Sequence, residues 1–370
     1  MSLLLATVAR SARLVERDGN TDGAETSSNC VTATPRPNGH VPVDACNSYY
    51  NYDPQFAPAV AVAVIFGLLT IVHVVEAFVF RKRYAWVVIM GGLWETIAFV
   101  LHSLGARDQQ QIGYATAWQI LFLLAPLWIN AFVYMTFARL AWFIQPEKEL
   151  CGIRPVSIAK YFVWADVMTF IVQAAGGIMA SPGAGASIIT IGVDIYLAGM
   201  GAQQFFIILF LCLMISFHKK AAPRHLDGVV PMESSNRRWA RLLVALYIVL
   251  GLITIRIIYR IAEFAGGITP SNPVPFHEEY SYVLDCFPMM LALVTLSIWH
   301  PGRTLEGPTS ELPRRSRAER KADKRERKAA KKTRKLEDKT LEDQSGDAQS
   351  DRIHEAGRRL DLESGRLERY

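Results

Sequence analysis

Hydrophobic residues in this chain are concentrated in seven long stretches, which turn-forming and charged residues separate from one another. A helix needs about 20 apolar residues to cross a bilayer core about 30 Å thick, and each stretch is long enough. The alternative, the buried helices of a large soluble protein, does not fit stretches of this length and number. We therefore predict an all-α fold, a bundle of seven transmembrane helices within residues 58–302, with spans near 58–80, 84–104, 117–143, 157–180, 187–217, 239–265 and 280–299.

Basic residues in the loops predict the direction of the chain through the membrane. The first, third and fifth loops carry lysine and arginine, the fourth and sixth carry neither, and the second has Arg107 offset by Asp108. Because cytoplasmic loops are enriched in lysine and arginine, we expect an extracytoplasmic N-terminus and a cytoplasmic C-terminus. The basic residues of the odd-numbered loops are Arg81, Lys82, Arg83, Lys148, Arg154, Lys219, Lys220, Arg224, Arg237 and Arg238.

Residues 1–57 precede the first span and carry no convincing secretory signal. Their apolar run near the start is too short for a hydrophobic signal region, and no basic region precedes it. We predict an extracytoplasmic, mostly disordered tail whose insertion is driven by the first span. Cys30 and Cys46 would lie in an oxidising compartment, where they either form a disulfide or remain two free thiols.

The charge content of the whole chain hides an uneven distribution. The chain has 40 basic and 34 acidic residues, 20% of the total, but 35 of these 74 lie in residues 303–370. The first 302 residues are therefore nearly neutral and far less charged than a soluble domain, in which about 25% of residues are charged. This distribution excludes a basic globular nucleic-acid-binding protein as a description of the whole chain.

The segment 303–370 is predicted as a charged cytoplasmic tail, largely disordered or helical. Residues 314–335 contain 13 basic and 3 acidic residues. Such a run beside a last span attracts anionic lipid headgroups by about 1 kcal/mol per basic residue, although a solvated tail that only reinforces the topology fits the pattern equally well. No aromatic residues interleave the run, which speaks against nucleic-acid binding.

The predicted spans contain ionisable residues, and placing each of these side chains near the bilayer centre costs at least about 2.5 kcal/mol. Each is therefore expected to have a compensating partner or a function. Leaving aside Lys160 and Arg241 close to span ends, six acids face three arginines. Either some carboxylates are protonated, or they are available for a cationic ligand. Static ion pairs between helices are the alternative, but they would require balanced charges. The residues are Glu76, Glu95, Asp166, Asp194, Glu263 and Asp285 against Arg139, Arg256 and Arg260.

Spacing groups these polar residues on particular helix faces. Residues separated by three, four or seven positions lie on one face of a helix. Lipid chains cannot form hydrogen bonds with polar helix faces, so these faces must turn inward and give the bundle a polar interior. Nearby glycines permit the helices to approach closely. The sets are Arg256, Arg260 and Glu263 on the sixth span, Asp166, Gln173 and Gly177 on the fourth, and Glu95 with His102 on the second.

Several functional classes lack the residues that they require. The last span has no lysine that could form a retinal Schiff base. No acidic residue directly precedes Arg139 in the third span, which argues against a G-protein-coupled receptor. His73, His102 and His300 are expected at different ends of the bundle, so they would not converge on one metal. No glycine-rich phosphate loop precedes a helix. We therefore expect neither an enzyme nor a cofactor.

The charged helix faces resemble the fungal RTA-like family (resistance to aminocholesterol), the lipid-translocating exporters. The resemblance covers about residues 52–303, and the motifs recur in order. The second span has Phe99 and His102 where the family more often has tyrosine and then arginine. The matching residues are Glu95, Ala125, Pro126, Ala131, Tyr134, Arg139, Phe162, Asp166, Gln173, Gly176, Gly177, Gly199, Gln203, Arg256, Arg260, Glu263, Glu278, Tyr282, Asp285 and His300-Pro301-Gly302.

The resemblance implies a translocator or exporter of amphiphilic lipids such as sphingoid long-chain bases, conferring resistance to toxic amphiphiles. The lipid substrate and the surrounding membrane lipids are the expected partners. A cationic amphiphile also matches the surplus of buried acid. A receptor-like sensor and a scaffold for other membrane proteins are the alternatives. The plasma membrane is the expected location, with vacuolar or endosomal membranes as alternatives.

We assign candidate roles to nine residues. Carboxylates would face the lipid headgroup or carry protons, arginines would hold those acids ionised or bind lipid phosphate, and glutamines would offer neutral hydrogen bonds. The candidate ligand and transport residues are Glu95, Asp166, Gln173, Gln203, Arg256, Arg260, Glu263, Glu278 and Asp285.

Overall fold

Seven helices long and apolar enough to cross a membrane run through the computed structural model, which describes residues 32–42, 45, 49–50, 52–144, 155–179, 186–226, 235–265 and 274–305. The part of the chain that the structure describes contains no strand, so the predicted all-α seven-helix class is confirmed. The described residues do not include Cys30 and Cys46, for which a disulfide and two free thiols are the alternatives, nor the basic segment 314–335.

The helices begin and end close to the boundaries that hydrophobicity predicts. The largest difference is in the fifth helix, which continues past the predicted end at Phe217 through basic residues such as Lys219. Its 41 residues correspond to about 62 Å, roughly twice the thickness of a bilayer core, so it extends beyond the membrane. The first six helices are α1 (Phe56–Phe80), α2 (Trp86–Arg107), α3 (Ile112–Ile144), α4 (Pro155–Met179), α5 (Ala186–Leu226) and α6 (Ser235–Ala265).

The seventh helix, α7, is continuous but changes its hydrogen-bond pattern. It consists of an α-helical turn Glu278–Ser281, a π-helical segment Tyr282–Cys286 and an α-helix Phe287–Ile298. Pro288 has no backbone N–H, so an α-helical bond to the carbonyl four residues earlier is impossible there. The π-helical segment carries Asp285 into the bundle.

Helices adjacent in sequence are mostly adjacent in space. α2 packs between α1 and α3, α4 pairs with α5, and α6 packs against α5 and α7, while α7 also contacts α1. Helix α3 and helix α6 are the most buried spans and contact one another. An aromatic cluster joins α3 to α5, in which the Phe137 ring centroid lies 5.2 Å from that of Phe210 and 5.4 Å from that of Phe217.

The outward faces of the helices carry large apolar side chains, as a lipid-facing surface requires. On α1 these include Leu68, Ile71 and Phe78, and α4 presents Trp164. Because the exposed side chains are apolar and several buried ones are charged, the polarity is inverted relative to a soluble helical bundle.

Part of the segment that we predicted as a mostly disordered tail packs on the end of the bundle where α1 begins. Val41 and Tyr50 are buried there. The backbone N–H of Gln109, in the connection from α2 to α3, donates to the carbonyl of Asn38 at 3.0 Å. At Gly105 on α2, a Cβ would collide with the Tyr50 hydroxyl, so a larger residue there would displace the end of this side chain. The predicted disorder stays a prediction for residues 1–31.

Candidate functional site

Two arginines of α6 hold one carboxylate of α7 in the interior. The Nε of Arg256 donates to Oδ1 of Asp285, and Arg260 forms an ion pair with Oδ2 of the same side chain. Arg260 also donates from Nη1 to Oε2 of Glu263 at 2.9 Å. All four side chains are buried. The face predicted from the spacing of Arg256, Arg260 and Glu263 therefore turns inward, and Asp285 is its main partner.

Helix α3 completes the surroundings of these arginines. The Nη2 of Arg256 donates to the backbone carbonyl of Phe122 at 3.0 Å. The guanidinium carbons of Arg256 and Arg260 lie 5.0 and 5.3 Å from the centroid of the Phe122 ring. Both arginines are thereby fixed by a ring face and by carboxylates, which limits their motion inside the bundle.

Glu95 of α2 is a buried carboxylate beside this cluster. Its exposed fraction is 0%, and neither carboxylate oxygen has a hydrogen-bond partner among the described residues. It interacts electrostatically with Arg256, Asp285 and Arg260. We define Glu95, Arg256, Arg260, Glu263 and Asp285 as the central cluster, in which three carboxylates face two guanidinium groups.

A second group lies where α7 begins and centres on Glu278. Its Oε1 is 2.8 Å from Nε2 of His102 and accepts from the Tyr282 hydroxyl at 3.0 Å. Its Oε2 accepts from the backbone N–H of Gln55 at 3.0 Å. The His102 ring stacks on Trp118 with centroids 4.1 Å apart. Thus His102 pairs with Glu278, although the sequence spacing had grouped it with Glu95.

Two tyrosines of the preceding segment border the Glu278 group. Burial is the main cause that raises the pKa of Tyr50, and the carboxylates of Glu278 and Asp108 raise it further. Burial and Glu278 also raise the pKa of Tyr52. Both hydroxyls therefore remain neutral at physiological pH and act as hydrogen-bonding groups rather than as charges.

Asp166 of α4 has only neutral hydrogen-bond donors among its described contacts. Its Oδ2 accepts from Nδ2 of Asn130 and from the hydroxyl of Tyr134, both at 3.0 Å. Asn130 was not among the candidate residues that we predicted from the sequence. It lies one helical turn before Tyr134 on α3, so helical spacing places the two on the same face. Asp166 and its partners form a site distinct from the paired carboxylate Asp285.

Gln173 of α4 and Gln203 of α5 meet across a close helix contact. The Nε2 of Gln173 donates to Oε1 of Gln203 at 3.0 Å. A Cβ at Gly176 would lie 2.6 Å from both the carbonyl oxygen of Gly192 and the backbone nitrogen of Tyr196. The predicted role of glycine in permitting close approach is confirmed at this helix pair.

Two further acids differ from the central cluster in their surroundings. Asp194, which we counted among the acids of the spans, is exposed on α5 and does not belong to the buried polar interior. It lies near the beginning of a helix longer than the bilayer requires, where a carboxylate can reach the headgroup region. Glu76 is buried near the end of α1, with Oε1 3.6 Å from the Arg303 guanidinium and Oε2 3.5 Å from Nδ1 of His73.

Several known proteins are similar in sequence to this chain. The chain matches the family model described as RTA1 like protein over residues 88–308, more than half of its length and a range that includes every candidate residue. It is 43% identical over 305 residues to the probable lipid transporter atnI of Emericella nidulans, which covers 81% of this chain and 80% of that protein. No solved structure matches the chain.

Two proteins of Saccharomyces cerevisiae are more distantly similar. The sphingoid long-chain base transporter RSB1 is 24% identical over 296 residues, which covers 70% of this chain and 75% of that protein. Protoporphyrin uptake protein 1 is 25% identical over 285 residues, which covers 67% of this chain and 90% of that protein. The names of the three relatives describe transport of a lipid, transport of a sphingoid long-chain base and uptake of a protoporphyrin.

Proposed function

Because this chain belongs to the RTA1-like family, we propose that it is an integral membrane transporter of amphiphilic lipids, with sphingoid long-chain bases as the substrate class. The names of the relatives support transport and do not favour the receptor-like sensor or the scaffold. Export of such lipids would confer resistance to toxic amphiphiles and membrane stress. The proposed transport does not convert the lipid chemically and does not use nucleotide hydrolysis as an energy source. Movement would be passive or linked to protons.

The observation that carries the proposal is the central cluster. Three buried carboxylates against two guanidinium groups leave a formal charge of −1 when all are ionised. Burying an uncompensated charge costs several kcal/mol, so a cationic ligand would be favoured there. A protonated sphingoid base supplies an ammonium group, hydroxyl groups and a long apolar chain, which match a charged interior inside a bundle with an apolar exterior.

Within this proposal, Glu95 binds the ammonium group, because its two oxygens have no hydrogen-bond partner among the described residues. Arg256 and Arg260 keep Asp285 ionised, and Glu263 shares Arg260. The remaining candidates, away from these arginines, would offer hydrogen bonds to lipid hydroxyls or carry protons during passage. They are Asp166, Gln173, Gln203 and Glu278.

We further propose that the N-terminus is extracytoplasmic, that the C-terminus is cytoplasmic and that the plasma membrane contains the protein. The basic residues of the odd-numbered loops support this orientation. The Glu278 group would then lie at the extracytoplasmic end and Glu76 at the cytoplasmic end. This placement gives the transport path one carboxylate near each surface and the central cluster between them.

Transport by the purified protein in phosphatidylcholine vesicles tests the proposal. The wild-type chain should accelerate transbilayer movement of a fluorescent sphingoid base relative to protein-free vesicles. Glu95→Gln, which keeps the shape and removes the charge, should slow this movement by about 10- to 100-fold, corresponding to the loss of a charged hydrogen bond of about 1.5–3 kcal/mol. Asp194→Asn is the matched control, since that carboxylate is exposed on α5.

The outcomes separate the function from the residue assignment. If wild-type vesicles move the base no faster than protein-free vesicles, direct lipid transport is wrong. If the wild type transports and Glu95→Gln transports equally well, only the ammonium-binding role of Glu95 is wrong. A labelled neutral phosphatidylcholine serves as the second substrate, and equal acceleration of both lipids would contradict selection by charge.

A further inference from the structure

A cavity of about 510 Å³ opens at the end of the bundle where α1 and α7 end and α6 begins. Three arginines line it together with a histidine and two aromatic rings, and none of these residues belongs to the central cluster. Its volume lies within the range of sites that bind small molecules. The lining residues that matter are Arg238, Arg241, Arg303, His300, Phe80 and Trp299.

Among the described residues that line this cavity, the permanently charged side chains are all positive. Arg238 and Arg241 lie near the beginning of α6, where the helix dipole adds further positive potential. Arg303 also lies 3.6 Å from the Glu76 carboxylate, so at least one acidic side chain stands beside the three guanidinium groups. Planar guanidinium groups bind phosphate through paired hydrogen bonds, which a lysine cannot reproduce.

His300 lines the same cavity. Its side chain is fully buried, and its Nδ1 accepts from the backbone N–H of Gly302 at 3.1 Å. The neutral ring must therefore carry its proton on Nε2. That nitrogen is buried and has no hydrogen-bond partner among the described residues. His300 therefore contributes to the wall of the cavity without adding a charge to it.

The remaining lining residues fit a lipid. The His300 ring stacks on Phe80 with centroids 4.8 Å apart, so its orientation is fixed. Trp299 is half-buried, and the neighbouring Ile298, which also lines the cavity, is exposed on the outer face of α7. Tryptophan is enriched where headgroups meet acyl chains, and an exposed isoleucine there would contact those chains.

We propose that this cavity is a binding site for the phosphate-bearing headgroup of an anionic phospholipid at the membrane border. The arginines hold the phosphate, and the acyl chains leave past Trp299 and Ile298. The site does not depend on the transport function, because it shares no residue with the central cluster. It also differs from the basic segment 314–335, whose predicted attraction for headgroups involves charge alone.

Binding of short-chain phosphatidic acid to the full-length protein in a neutral detergent tests the site. We expect saturable binding, and we expect the triple substitution R238Q/R241Q/R303Q to weaken it at least tenfold. The matched control is K160Q/K219Q/K220Q, which removes three charges from exposed residues at the same end of the bundle without altering the cavity. This control should keep the wild-type affinity. The thermal midpoint of each unliganded variant confirms that it is folded.

Two further ligands identify the source of the phosphate. Glycerol 3-phosphate has the headgroup without chains, and short-chain phosphatidylcholine has the chains with a neutral headgroup. We expect both to bind at least tenfold more weakly than phosphatidic acid. Equal affinity for glycerol 3-phosphate would overturn the lipid assignment in favour of a soluble phosphate. Equal weakening by the arginine and lysine triple variants would overturn the cavity as the site.

Discussion

At the scale of single residues, the buried carboxylates of this bundle differ in how they are compensated. Asp285 is held by two guanidinium groups, whereas Glu95 is buried without a hydrogen-bond partner among the described residues. Removing one member of a buried ion pair leaves the other charge uncompensated, which is strongly destabilising. Removing a carboxylate that has no donor carries no such penalty. Stability and transport are thus expected to depend on different acids.

Asp285→Asn should lower the free energy of unfolding by about 3–5 kcal/mol, because it leaves two buried arginines without their shared partner. Glu95→Gln should leave stability unchanged or raise it. The thermal midpoints of the two purified variants in one detergent measure the difference. Equal midpoints for Asp285→Asn and the wild type would contradict the pairing of Asp285. A large decrease for Glu95→Gln would instead indicate that Glu95 has a structural partner.

At the scale of helices, α4 and α5 approach closely enough for their backbones to contact one another, in addition to the ring contact of Phe162 with Phe210. Gly176 faces the backbone of Gly192 and Tyr196, and Gly199 faces Gln173 and the carbonyl oxygen of Thr169. Helices in lipid associate through such close packing, since the surrounding chains are as apolar as the helices. The hydrogen bond of Gln173 with Gln203 depends on this short separation.

Gly176→Ala should destabilise the protein by about 1–3 kcal/mol, because its Cβ would meet backbone atoms that cannot move independently of their helix. Gly201→Ala on α5 is the matched control. Nothing lies within 4 Å of a Cβ there, and alanine favours a helix by up to about 1 kcal/mol. Thermal unfolding in detergent should therefore give a lower midpoint for Gly176→Ala only. Similar midpoints for both variants would contradict the close packing of α4 on α5.

At the scale of the whole molecule, the two ends of the bundle carry different chemistry. One end has the Glu278 group beneath the segment that contains Tyr50, and the other has the cavity lined by Arg238, Arg241 and Arg303. The proposed orientation places the first end outside the cytoplasm. A lipid entering from either leaflet would therefore meet a different set of charges before it reached the central cluster.

Cysteine labelling in intact cells checks this orientation. In a chain whose Cys30, Cys46 and Cys151 are replaced by serine, a membrane-impermeant maleimide should label Gln111→Cys directly. It should label Lys219→Cys only after permeabilisation, because α5 ends on the cytoplasmic side in the proposed topology. Both positions are exposed in the structure. The reverse pattern would mean that the bundle is inverted, and the leaflet assignments would be exchanged.

The sequence alone determined the number, class and approximate bounds of the spans, because crossing a bilayer requires a long apolar helix whatever its neighbours are. Helical spacing also placed Arg256, Arg260 and Glu263 on one inward face. These properties depend on interactions within one helix or between a helix and lipid, so they can be predicted from the sequence of that helix alone.

Only the tertiary structure decided which polar groups meet, because partners on different helices are brought together by packing that no spacing encodes. It paired Asp285 with two arginines through a π-helical segment, paired His102 with Glu278 instead of grouping it with Glu95, and added Asn130 to Asp166. It also brought residues from the ends of α1 and α7 and the beginning of α6 around one cavity. Contacts between distant parts of the chain depend on the relative rotation and depth of whole helices, and these are fixed only when the bundle packs.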